Sequence, residues 1–179
     1  MRRRYAAADY RRFAEGALAA VPDLCLGADV MVGFPGEEEA DFEATRELVA
    51  ALPFAYLHVF PFSERRGTPA ARMAGKVPPA IKQRRAALLR EMSEAGRRAF
   101  YGRFRGEVRD VLFETPKSPA VARGLTDHYI RVEVPAAGAA ALRNRILPVK
   151  LLSVAGPVMQ GELAEPAGAK AGASPLGGG

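Results

Sequence analysis

Two rhythms of apolar and polar residues run along this chain, and the change between them falls at Gly106. In the first part, segments with a helical period alternate with short apolar runs. Residues 8–20 place Phe13, Leu18 and Val21 on one side of a helix, with Asp9 as its N-cap and Pro22 as its stop. Residues 25–32 are a strand that halts at Gly33-Phe34-Pro35-Gly36. Phe42, Leu48, Val49 and Leu52 then recur near the 3.6 period over a helix at 38–52, ended by Pro53. Ala55–Phe60 (AYLHVF) is a second strand. Helix, strand, helix, strand in that order predicts a parallel sheet with crossover helices.

The stretch PFSERRGTPAARMAGKVPP has four prolines, two glycines and no period, a long loop of the kind usually tied to function. Pro78 and Pro79 open a long helix to about Arg103 that carries Ile81, Leu88, Leu89, Met92 and Phe100. After Gly106 the texture becomes short runs rich in Val, Ile, Leu and Tyr, at 107–114, 128–134, 145–154 and 158–163. Clusters of Gly, Pro, Asn and Asp separate them, which predicts a small all-β barrel or sandwich. The tail from Glu165 to Gly179 is Ala, Gly and Pro with almost no large apolar residue, and disorder is expected there. The expected organisation is 1–105, 106–164 and a tail at 165–179.

At 179 residues the chain has room for one domain or two small ones, and its 49% hydrophobic and 26% charged composition is that of a globular protein. No apolar run approaches the roughly 18–20 residues of a membrane helix. No apolar core follows the basic N-terminus, so no secretory peptide is read and a cytoplasmic home is expected. The lone Cys25 forms no internal disulfide.

Charge adds a further distinction. The net charge is +6, and Pro78–Arg105 holds eight basic residues against Glu91 and Glu94, whereas Gly106–Glu165 is balanced. A basic helix reads first as a solvated face, and more sharply as a surface for nucleic acid or another polyanion.

Chemistry concentrates at Gly33–Glu37. A strand, a tight glycine turn and a helix N-terminus, in that order, are what α/β folds use to bind a ligand at the carboxyl end of a strand. The carboxylates Glu37, Glu38, Glu39, Asp41 and Glu43 complement the helix dipole, and Glu37 is the one placed to point at a ligand. Ser63, Arg65 and Arg66 follow the second strand, either as a solvated turn or as anion ligands. His58 reads as a packed core or strand-face residue rather than a catalytic one, and no spacing of His and Cys defines a metal site. In the β segment, His128, Tyr129, Arg131, Arg143, Arg145 and Lys150 mix rings with cations, as RNA-binding barrels do.

Taken together, MRRRY, GADVMVGFPGEEEADFE, LPFAYLHVFPFSERRGTPAARM, KVPPAIKQRRAALLRE and GLTDHYIRV resemble the radical S-adenosylmethionine methylthiotransferases, in matching order from Met1 to about Leu163. The variant LHVFPFS is most similar to the branch that modifies threonylcarbamoyladenosine in tRNA; the isopentenyladenosine and ribosomal-protein branches are the alternatives. The resemblance implies the C-terminal part of a partial TIM-like barrel followed by a small OB-like TRAM barrel. It implies S-adenosylmethionine and [4Fe–4S] clusters in the full-length family, and chemistry in which a 5′-deoxyadenosyl radical opens C2–H of the adenine for methylthiolation. Carried over, Gly33, Phe34, Pro35, Gly36 and Glu37 would lie beside S-adenosylmethionine, and Phe60, Pro61, Phe62 and Ser63 would border its adenine. The implied RNA-binding set is Arg103, Arg105, Lys117, Arg123, His128, Tyr129, Arg131, Arg143, Arg145 and Lys150, gripping the tRNA anticodon loop.

The departures are as informative. The cysteine triad C-x-x-x-C-x-x-C is missing, as are the cysteines of an auxiliary cluster. Glu38 stands where the family places Thr or Ser, and Glu64 and Arg66 where it often places Pro. The expectation is a C-terminal portion that is inactive alone, completed by a separately encoded N-terminal half, or else a stand-alone RNA-binding module.

Overall fold

In the computed structural model, residues 5–116 and 118–164 are described. They form an α/β unit and a closed five-stranded β barrel, with the division between Arg103 and Phe104. The expected disordered tail at 165–179, Met1–Arg4 and Lys117 lie outside the described residues.

The first unit runs α1 (Ala7–Ala20), β1 (Gly27–Val32), α2 (Glu39–Ala51), β2 (Tyr56–Pro61) and α3 (Pro79–Gly102). The two strands pair in parallel, Gly27 opposite Tyr56 and Val32 opposite Pro61. Alternation sends Val32 and Leu57, with Ala28, Val30 and Val59, to one face, where they meet Phe42 and Val49 of α2 and Ala86 and Leu89 of α3. The opposite face, with Asp29, Met31, His58 and Phe60, is exposed. Pro79 starts α3 at a position where its missing N–H costs nothing. Further along, the buried Ser93 hydroxyl accepts the Leu57 N–H at 2.8 Å and satisfies a donor on the edge of β2.

Two details of the helices differ from expectation. Asp9 is not the N-cap of α1; it lies at the third helical position and its carboxylate accepts the Ala6 N–H at 2.9 Å. Phe13 is 74% exposed, and Ala14 takes the buried place instead. In the long loop, Pro69–Arg72 forms a 3₁₀ turn capped by Thr68.

The second unit contains β3 (Val108–Phe113), β4 (Val121–Thr126), β5 (Arg131–Pro135), β6 (Ile146–Ala155) and β7 (Val158–Leu163). Their order is β3-β4-β5-β7-β6, and β6 pairs back onto β3, so the expected barrel-or-sandwich resolves as a barrel without free edges. Val111, Phe113, Val132, Val134, Val149, Leu151 and Met159 fill the interior, each at most 1% exposed. A two-residue turn, Gly156-Pro157, joins β6 to β7, with the positive φ that Gly156 supplies.

Strand β4 is the element that the apolar pattern did not reveal. Its sequence VARGLT carries Arg and Gly in the middle, which read as a turn. Gly124 is nonetheless a strand residue, because a Cβ there would stand 2.5 Å from the Leu112 carbonyl oxygen. The run at 128–134 also starts later than expected. Tyr129 takes a left-handed φ of 59°, and the Thr126 hydroxyl accepts the N–H groups of His128 and Ile130, making 127–130 a turn.

A methyl group at Gly124 has no space that backbone does not occupy. Gly124→Ala should lower unfolding stability by about 1–3 kcal/mol in urea titration; an unchanged midpoint would contradict this packing.

Candidate functional site

The glycine turn stands where β1 ends. Phe34-Pro35-Gly36-Glu37 is a β-turn closed by the Glu37 N–H on the Phe34 carbonyl at 2.9 Å, with Pro35 at its second position and Gly36 at φ 85° in the third. That is the residue order of a type II turn. The Gly36 N–H reaches the Gly75 carbonyl at 2.8 Å, which fastens the long loop to the turn. Gly33 has a second reason to be glycine besides its φ of 75°. A Cβ there would sit 2.1 Å from Cγ of Lys82, whose stem crosses directly over it.

Helix α3 holds this turn with two cations one helical turn apart. Lys82 donates from Nζ to the Phe62 carbonyl at 3.1 Å and lies over the Phe62 ring, so it ties the end of β2 to the end of β1. Arg85 is 3% exposed; it meets Glu37 Oε1 at 2.6 Å and Glu39 Oε2 at 2.8 Å, and its guanidinium lies over the Phe42 ring. The other Glu37 oxygen, Oε2, accepts the Gly33 N–H at 2.9 Å. Burial works against the charge on Arg85, but the hydrogen bonds to Glu39 and Glu37 outweigh it and raise its pKa. The hydrogen bond from Arg85 holds the Glu39 carboxyl below the usual carboxylate range.

Glu37, singled out in the sequence as the carboxylate placed to face a ligand, therefore points inward, at Arg85 and the turn's own backbone. Gly36 is exposed, and a Cβ there would meet nothing within 4 Å. The turn offers backbone to the space at the strand ends, not a carboxylate. Beside it, Phe34 and Phe62 meet edge-on at 5.2 Å, while Phe60, Pro61 and Ser63 are exposed. Gly33, Phe34, Pro35, Gly36, Glu37, Phe62 and Ser63 are thus brought to one end of the sheet. An apolar groove of about 470 Å³ lined by Val49, Phe54, Met92 and Phe100 lies at the opposite ends of the strands. Ligands of open α/β sheets bind at the carboxyl ends, so the groove is not the site.

The proposed RNA set divides by location. Arg103 ends α3 and donates to the Pro22 carbonyl at 2.8 Å and to Asp23 at 3.2 Å, so it serves the first unit's packing. Lys82 and Arg85, as above, and Arg84, which pairs with Glu39 at 2.8 Å, are likewise engaged, whereas Arg90 and Arg98 of the same helix are exposed. In the barrel, Arg123 is paired with Glu133, and His128 contacts Asp127 at 2.6 Å with its ring against Phe104. Arg105, Arg131, Arg143, Arg145 and Lys150 are exposed, as is Tyr129 at 72%. Register places Arg131 beside Leu125, Leu125 beside Leu112, and Leu112 beside Ile146 in one outward row over four strands. The Arg143-Asn144 turn adjoins that row, with Asn144 at φ 60°. Leu112 and Ile146, 47% and 64% exposed, are surface residues that sequence reading missed, because an apolar residue in a strand reads as core.

A parallel β–α–β unit with a fastened glycine turn, carried with a small closed barrel, makes this an α/β protein with a β module attached. The threonylcarbamoyladenosine tRNA methylthiotransferase of Thermotoga maritima is 38% identical over 133 residues, 74% of this chain and 31% of that protein. The tRNA-2-methylthio-N(6)-dimethylallyladenosine synthase of Methylobacillus flagellatus is 34% identical over 165 residues, 91% of this chain and 37% of that protein. No family model matches. These matches bear out the resemblance: the residues of this chain are those of a radical S-adenosylmethionine methylthiotransferase, over about a third of the length of the curated relatives.

Removing Arg85 strands the Glu37 carboxylate half-buried. Arg85→Met should cost about 3–5 kcal/mol in chemical unfolding, and adding Glu37→Gln should restore part of it; a loss under about 1 kcal/mol would contradict the clamp. Acid tests the same contacts. A carboxyl whose folded pKa is lowered stabilises above its unfolded value, 4.5 for Glu39, and that stabilisation disappears as pH falls through the folded pKa. Between pH 6 and pH 3 the wild type should therefore lose more of its urea midpoint than Glu39→Gln does, and parallel losses would refute the assignment.

Proposed function

We propose that this chain is the RNA-gripping part, with one cofactor-facing wall, of a tRNA methylthiotransferase that acts on C2 of threonylcarbamoyladenosine next to the anticodon. The observation that carries this reading is the 38% identity, over 74% of the chain, to a protein named as a threonylcarbamoyladenosine tRNA methylthiotransferase. The branch rests on LHVFPFS in and after β2, since the dimethylallyladenosine relative is also similar over most of the chain.

The residues fit the implied cofactors unequally. S-adenosylmethionine, when bound, supplies the radical that opens the adenine C2–H bond. The fastened turn at Gly33–Glu37 and the segment Phe60–Ser63 suit it as a wall, because Gly36 is exposed at the strand ends and leaves the space of a side chain there open. An iron–sulfur cluster does not fit. Cys25 is the single cysteine, burial pushes its thiol up and away from the thiolate a cluster needs, and no group of three or more His, Cys, Asp or Glu that could hold a metal exists among the described residues. No redox step is derived through this chain, and it methylthiolates nothing by itself.

In this reading the barrel is a TRAM domain. Its exposed Arg131, Arg143, Arg145 and Lys150 neutralise phosphates, and Tyr129, presented in a tight turn, stacks on a base. No described helix is long and apolar enough to cross a membrane. Work in the cytoplasm, where tRNA is modified, follows from the proposal. A stand-alone RNA-binding role would use the same barrel surface without any partner that supplies clusters.

An anticodon stem-loop RNA should bind the chain with affinity that falls steeply as salt rises, and Arg143→Glu with Arg145→Glu should weaken binding by about tenfold or more without lowering the melting temperature. Binding indifferent to salt would overturn the RNA role. Methylthiolated product formed by the chain alone, after anaerobic cluster reconstitution, would overturn its inactivity.

A further inference from the structure

The long loop between β2 and α3 is ordered by its own contacts. Arg65-Arg66-Gly67-Thr68 is a β-turn in which the Arg65 carbonyl accepts the Thr68 N–H at 3.2 Å and the Thr68 hydroxyl at 2.8 Å. Gly67, at φ 84°, fills the third position. The Thr68 hydroxyl oxygen then caps the 3₁₀ turn at Pro69–Arg72. Lys76 pairs with Glu64 at 3.0 Å and shuts the loop, and the Gly75 carbonyl ties it to the glycine turn through the Gly36 N–H. Arg66 occupies the second position of its turn, where proline is favoured, so local geometry does not ask for arginine there.

Arg65, Arg66 and Arg72 stand on this frame, exposed, and none has an ion pair or side-chain hydrogen bond among the described residues. Every other described cation up to Arg85 meets an oxygen of the chain. The arginines of α1 pair with Asp9 and Glu15, that of α2 with Glu43, Lys76 with Glu64, and Lys82, Arg84 and Arg85 are engaged as above. Arg90, Arg97 and Arg98, later on α3, also lack such a partner, but Glu91 and Glu94 share their stretch of helix. The single carboxylate of the loop, Glu64, is already neutralised, which leaves the charge of its three guanidiniums uncompensated.

That chemistry selects an anion, because a guanidinium with no carboxylate beside it meets phosphate with two parallel N–H donors. The three are exposed and strung along a loop, not gathered in a pocket, which suits the spaced phosphates of a polynucleotide better than one small phosphate ester. We propose that this loop is a second RNA grip, on the α/β unit, in which Arg65, Arg66 and Arg72 bind backbone phosphates of the RNA that the barrel holds. The inference rests on the tRNA reading above and adds a contact tied to the glycine turn.

Fluorescence anisotropy of the anticodon stem-loop RNA with the full chain, over a series of salt concentrations, tests this. Arg65→Gln with Arg66→Gln and Arg72→Gln should weaken binding about tenfold and lower the slope of log affinity against log salt by about two, at an unchanged melting temperature. Arg66→Pro, which suits its place in the turn, should lower the slope by about one, and Arg66→Lys should keep it. Arg46→Gln removes a paired cation of the same unit and should leave affinity and slope nearly unchanged. An equal drop there would make the effect one of net charge and overturn the loop grip. Wild-type affinity in the triple variant, while Arg143→Glu with Arg145→Glu still weakens binding, leaves the RNA reading standing and sinks the loop grip. Salt-indifferent binding by the wild type sinks the RNA reading and the loop grip with it. A triple variant that loses affinity for polyglutamate but keeps it for the RNA overturns the proposal in favour of an acidic protein partner.

Discussion

The strand-end half of the α/β unit depends on a single buried cation. Arg85 sits inside the protein, where an unpaired guanidinium would be intolerable, and its position makes sense only because Glu37 and Glu39 come to it from the start of α2. Glu37 in turn spends its second oxygen on the Gly33 N–H, so the ion pair fixes the backbone of the glycine turn. Lys82, one turn earlier on α3, does the same for the end of β2 through the Phe62 carbonyl. The turn is thereby held by α3, and the Glu37 side chain is used for structure. The Arg85 Nε, buried without a hydrogen-bond partner in the structure, is the cost of this arrangement.

The two units solve the problem of a small sheet differently. The barrel closes on itself through β3 and β6, so every strand is paired and its core needs nothing from outside. The α/β unit has only two strands and helices on one face, which leaves Asp29, Met31, His58 and Phe60 uncovered. The matched region spans about a third of the length of the curated relatives. The glycine turn and the carboxyl ends of both strands belong to this open-faced unit, whose exposed cations are spread over α1, α2, the long loop and α3, while the second unit exposes Arg105, Arg131, Arg143, Arg145 and Lys150.

Much of this was legible in the sequence, for identifiable reasons. Helices α2 and α3 and strands β1 and β2 came through because Pro53, Pro79 and the glycine turn punctuate strong periods. The turn's importance was visible, but the direction of Glu37 was not, since Arg85 lies 48 residues away and its burial is tertiary information. Strand β4 was hidden by Gly124, which a turn and a crowded barrel wall require equally. Phe13 misled because an exposed aromatic breaks the assumption that the apolar side faces the core. The family resemblance was readable because the motifs are long and ordered; the shared face of Asp29, Met31, His58 and Phe60 was not, because same-face neighbours appear only when β1 and β2 are in register.

Helix α3 holds the glycine turn in place through Arg85 and Glu37. Native-state hydrogen exchange at the Gly33 amide measures this directly. The amide should be protected in the free wild-type chain and exchange much faster in Glu37→Gln, while barrel amides such as Leu151 keep their protection in both. A Gly33 amide that exchanges freely in the wild type, or one whose protection is indifferent to Glu37, would contradict it.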